Sequence, residues 1–218
     1  MHLIFSPIWF MGIDSTFEIL SAIISILVGA YSYKIYRSTG KRQYLYLFTA
    51  FALIFLSFLT RAVTDIMAYN LLLEQMPTIN TIVNVQYVYL AGIYFYQFLM
   101  LSSCMTLAAL ALKIKGRKIM SLLTFFSLMF AIAGLYNYSI FHIVTSALLF
   151  YVVLHFYGNY SEKKTCNALM VLGAFVTIFA SHVIFIFIDN PMLYVFGHFL
   201  QFAGYLMLLV NLLLVRRT

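Results

Sequence analysis

Seven apolar runs occupy almost the whole of this chain, each close to the twenty or so residues a helix needs to cross roughly 30 Å of hydrocarbon. They fall at approximately 16–36, 44–69, 80–112, 119–136, 139–160, 166–188 and 192–215. The expected fold is therefore an all-α integral membrane protein, a single seven-helix bundle over residues 15–218 preceded by a short arm, 1–14. The arm opens MHLIFSPIWFMGI, which is apolar but too short to span a bilayer and contains Pro7. It lacks the basic start and small-residue cleavage site of a signal peptide, so it reads as an interfacial segment carrying the only tryptophan, Trp9. No internal repeat and no soluble domain is left over.

Composition agrees. Charged residues make up 9% of the chain and the mean hydropathy is +0.99, whereas soluble domains carry about a quarter charged residues. Disorder is excluded by the lack of charge, and collagen-like or disulfide-stapled classes by ten Gly, three Pro and two Cys. The net charge of +7 would suggest nucleic acid as a partner in a soluble protein; its distribution points elsewhere. Lys34, Arg37, Lys41 and Arg42 flank the first connection, Lys113, Lys115, Arg117 and Lys118 the third, Lys163 and Lys164 the fifth, and Arg216 and Arg217 the C-terminus. The alternate connections hold no Lys or Arg, and Asp14, Glu74 and Asp189 lie on their side. Short cytoplasmic loops retain basic residues, so the N-terminus is expected outside and the C-terminus in the cytoplasm, in a multi-pass protein of the cell membrane. The expected partners are then the lipid bilayer and a cytoplasmic protein that the basic loops could dock, with no nucleic acid.

Two local signals support the boundaries. Ser15-x-x-Glu18 reads as a capping box opening the first span, and Asn190-Pro191 as cap and first residue of the last. No proline lies well inside a span. The seven-helix sugar-transporter and PQ-loop families resemble this chain in size and orientation but typically carry helix prolines as hinges, and that absence counts against them.

Twelve of the thirteen cations are accounted for by topology; the exception is Arg61, one turn before Asp65 inside the second span. Charges in hydrocarbon are costly and usually face a bundle interior or a wet cavity. Ser57, Arg61, Thr64 and Asp65 share a helix face, with Arg61 roughly 10 Å below the outer end. Other polar groups reach a similar depth: His182 near the outer end of the sixth span, and His198 and Gln201 near the outer start of the seventh. Asn84 and Gln86 enter from the third span, while Glu18 and His142 sit shallower. Gln86, Gln97 and Cys104 fall near one angular position. Together these residues predict a polar core in the outer half of the bundle, open or nearly open to the outside, with Arg61, Asp65, Gln86, His182, His198 and Gln201 as the ligand-binding set.

His182 and His198 are also the candidate metal or haem ligands, since neutral imidazole suits several transition metals and axial haem ligation. No H-x-x-x-H, H-E-x-x-H or C-x-x-C strengthens that reading, and no cofactor is predicted. Ceramidase and adiponectin-receptor-like hydrolases carry paired histidines four apart on the last span, where this chain has Phe202 after His198. Rhodopsins resemble it in topology, but all seven lysines lie at cytoplasmic ends or loops, so no retinal Schiff base is available. Cys104 and Cys166 read as small packing residues in the cytoplasmic half, and Tyr87, Tyr89, Tyr94 and Tyr96 as packing aromatics.

The layout, with His198 in GHFLQFAGYLMLLVNLLLVRR, resembles the membrane input regions of prokaryotic seven-helix sensors. The resemblance is one of layout, without a diagnostic motif, and implies signalling by the last helix into an effector. The chain ends at Thr218, so the sensor reading requires a separate cytoplasmic partner docking on 37–43, 113–118 and 161–165. The expected function is a receptor- or sensor-like protein that binds a small ligand or ion, not an enzyme. A small-solute or proton-coupled transporter is the alternative, and a metal- or haem-dependent membrane enzyme the third reading.

Overall fold

The computed structural model describes residues 7, 9–10, 12–72, 79–114, 116–187 and 190–217. Among them are seven helices and no strand: α1 (Ile13–Thr39), α2 (Arg42–Leu72), α3 (Ile79–Ala111), α4 (Arg117–Tyr136), α5 (Tyr138–Lys163), α6 (Cys166–Phe185) and α7 (Pro191–Arg217). Each is long and apolar enough to cross a membrane. Residues 73–78 and the acidic Glu74 and Asp189 lie outside the described residues.

The ends follow from the residues that stand there. Asn190 Oδ1 accepts from the Met192 N–H, with Pro191 first in the helix. Asn137 both closes α4, through its N–H to the Ala133 carbonyl, and opens α5, through its Oδ1 accepting from the Ser139 N–H. Gly40, at φ 66°, takes the left-handed turn that ends α1. The expected Ser15/Glu18 capping box does not form. The helix starts earlier, at Ile13, and Asp14 Oδ1 accepts from the N–H groups of Gly12 and Ser15 instead. Glu18 is thereby released to face the bundle interior.

The helices close a ring in the order α1, α2, α3, α5, α6, α7, with α1 packed on α7 and α4 lying outside against α3 and α5. Burial separates the two roles: 67% of the most apolar stretch of α3 is buried, against 17% for α4. Successive helices alternate in direction, so Lys34, Arg37, Arg42, Lys113, Lys118, Lys163 and Lys164 gather at one end of the bundle, the basic end. The other is the N-terminal end. An apolar core including Phe51, Ile54, Met100, Leu101, Phe175 and Leu208 fills the interior.

Lipid tails are as apolar as the side chains, so close backbone approach rather than hydrophobic burial holds such helices together. Gly92 on α3 lets Thr64 of α2 approach, and Gly204 on α7 faces the Ala174 carbonyl and Ile178 of α6. The arm is not wholly interfacial. Trp9 is 60% exposed, whereas Phe10 is 1% exposed and packs with Phe185, Tyr194 and Val195 as a plug in the N-terminal end.

Candidate functional site

Glu18, Arg61, Tyr96, Tyr138, His142, Phe185, His198 and Gln201 line one small cavity beneath the N-terminal end. Every helix of the ring contributes a side chain. About 10 Å³ is open to the centre of a water molecule, the space of a single water. Depth explains the convergence, since Glu18 and His142 lie one to two turns inside the starts of α1 and α5, and Phe185 ends α6. Arg61 lies roughly 16 Å inside the end of α2, and its guanidinium reaches the same level.

Arg61 is 4% exposed and holds four partners. Its Nε donates to Asp65 Oδ2 at 2.9 Å and lies 3.7 Å from Glu18 Oε1. Nη1 donates to the Tyr138 hydroxyl at 3.3 Å, and Cζ stands 5.5 Å over the centre of the Tyr96 ring. The i,i+4 pair expected from the sequence is therefore present, as part of a triad of one cation and two carboxylates. Glu18 is 4% exposed, and its Oε2 has no hydrogen-bond partner.

A second chain of contacts runs through imidazoles. His142 Nδ1 lies 3.1 Å from His182 Nδ1, and His182 Nε2 lies 3.5 Å from Gln201 Nε2. His142 Nε2 is buried and, like Glu18 Oε2, without a partner. His198 packs among rings, 4.5 Å from Tyr194, 5.0 Å from Phe185 and 5.9 Å from Phe10. Above it the Tyr194 hydroxyl donates to Asp14 Oδ2 at 3.3 Å.

The structure thus brings Arg61, His198 and Gln201 to the cavity wall, with Asp65 and His182 one contact behind it. Gln86 is not among them: it is exposed and does not line the cavity. It shares an angular position with Gln97, which is buried with its Nε2 3.5 Å from the Gly134 carbonyl. But α4 ends at Tyr136, while Gln86 stands roughly 16 Å farther out along α3, past the α4–α5 turn. The side chain of Asn84 lies outside the described residues. Phe10 packs at the N-terminal end against Phe185 and beside His198, two of the lining side chains. His182 meets the imidazole of His142, while His198 packs among aromatic rings. No three His, Cys, Asp or Glu among the described residues converge as metal ligands. Cys104 is buried, but Cys166 opens α6 and is exposed, so it is not a packing residue.

The place of His142 is legible in principle. It stands four residues inside the start of α5, and His182 three before the end of α6, so antiparallel neighbours bring them level. Tyr138 and Phe185 carry no comparable signal. Comparison with protein-family models, with curated proteins and with solved structures returned no match.

Proposed function

We propose that the chain is a receptor- or sensor-like protein of the cell membrane, with its N-terminus outside and its C-terminus in the cytoplasm. It binds a small ligand or ion at the Glu18–Arg61–His142 cavity and signals through a separate cytoplasmic partner at the basic end. The observation that carries this reading is the convergence of ionisable and amide side chains from separate helices on one small cavity. A guest there touches all six ring helices at once, and a change in its contacts bears on their relative positions. Toward the basic end the next cavity is walled mainly by apolar side chains, among them Phe51, Ile54, Met100, Leu107 and Leu149. That apolar column offers a polar solute no path onward and favours a receptor over a carrier.

Orientation is checked with Cys166, exposed at the basic end while Cys104 is buried. A membrane-impermeant maleimide should leave Cys166 unlabelled in intact cells and label it after permeabilisation; labelling of intact cells would reverse the topology. Function is tested by a solvatochromic dye on Cys166, with sodium, potassium and ammonium salts, acetate and phosphate presented at the N-terminal side. The reading expects at least one solute to shift the emission in an Arg61-dependent way.

A further inference from the structure

The cavity's own chemistry narrows the ligand class, an inference that rests on the receptor reading of the same site. Its carboxyl groups outnumber its cations: Glu18 and Asp65 share the single guanidinium of Arg61. Asp14 stands outside this count, because the α1 N-terminus and the Tyr194 hydroxyl compensate it. An anionic guest would meet two carboxyl groups there, whereas a donor-bearing cation would be met by their oxygens. The rings of Tyr96, Tyr138 and Phe185 form part of the wall. Two polar atoms of the lining residues, Glu18 Oε2 and His142 Nε2, lack partners. The space admits one body the size of water.

We propose that this cavity binds one small cation bearing N–H donors, ammonium in size and charge, which donates to Glu18 Oε2 and His142 Nε2.

Binding then has a consequence at a distance. A donor-only guest requires His142 Nε2 to accept, which places the imidazole proton on Nδ1, donating to His182 Nδ1. His182 then carries its proton on Nε2 and donates to the Gln201 side chain, which turns its carbonyl oxygen toward the ring. With a water there that accepts from His142, the polarity of the same chain is reversed. The guest's hydrogen-bond demand therefore passes from α1 and α5 through α6 to α7.

The test uses the purified full chain in lipid nanodiscs, with ammonium chloride against choline chloride at equal ionic strength. Ammonium should raise the unfolding temperature saturably and choline should not. ¹⁵N spectra of the histidine side chains should show His142 Nε2 losing its proton as ammonium saturates. Glu18→Gln should weaken the half-saturating concentration roughly tenfold or more. Equal behaviour in the two salts, an unchanged His142 Nε2, or stabilisation that follows acidification alone would overturn the proposal. If Glu18→Gln does not fold, the wild-type salt comparison and the histidine spectra still decide. Ammonium binding by both readouts with a silent Cys166 dye would leave this site standing and sink the receptor reading. An Arg61-dependent dye response to another solute, without ammonium binding, would do the reverse.

Discussion

Replacing Arg61 by leucine is expected to lower the unfolding free energy by about 3–5 kcal/mol, the largest effect of any single polar substitution in the bundle. The variant leaves Glu18 and Asp65 buried without their shared cation. From the sequence alone, where Arg61 and Asp65 are an isolated pair, replacing both by apolar residues should restore neutrality. The third member changes that expectation. Arg61→Leu/Asp65→Leu still strands Glu18, whose Oε2 already lacks a partner, and should recover only part of the loss. Adding Glu18→Gln removes the last charge and should bring stability back to within about 1–2 kcal/mol of wild type, as whole buried ion networks often can be replaced at small cost. Equilibrium unfolding in mixed micelles measures the series. A double variant as stable as the triple would mean that Glu18 is not part of the network.

The second large effect is steric. A Cβ at position 92 would overlap Thr64 Oγ1 and lie 2.7 Å from Thr64 Cβ. Because the threonine Cβ is fixed to the α2 backbone, no rotamer relieves the clash and the two helices must separate. Gly92→Ala should therefore cost about 1–3 kcal/mol, and moving α2 from α3 also pulls Arg61 away from Tyr96. Thr64→Gly on its own should cost about 0.3 kcal/mol in helix propensity. Combined with Gly92→Ala it should recover most of the steric loss. A double-mutant cycle reads this coupling directly, and strict additivity would contradict the close α2–α3 approach.

Part of the site is legible in the amino-acid sequence. Helix spans follow from run length alone, and Arg61–Asp65 from the one cation that topology leaves over together with i,i+4 spacing. The rest is hidden for physical reasons. Apolar residues cover every face of a membrane helix, since lipid and core are equally apolar, so only sparse polar residues mark the inward side. Glu18 has a local alternative, the capping box, and only the earlier start of α1 with Asp14 in the capping role frees it to turn inward. Gln86 has the right angle on α3 but the wrong height, which depends on where α4 and α5 end. Phe10 sits in an arm whose composition suits a membrane interface as well as a plug, and its burial is decided by Phe185 and Tyr194 from far along the chain. His142 pairs with His182 across two helices, a relation that angular arguments within one helix do not reach.

The central claim is that occupancy of the cavity at the N-terminal end is felt at the basic end. The emission of a solvatochromic dye on Cys166, in nanodiscs with solute added to the N-terminal face, tests it most directly. A saturable shift is expected with at least one of the small salts, abolished in the charge-neutral variant Arg61→Leu/Asp65→Leu/Glu18→Gln, which retains the fold but not the site. The same shift in that variant, or a dye that stays silent while a solute demonstrably binds in the cavity, would contradict it.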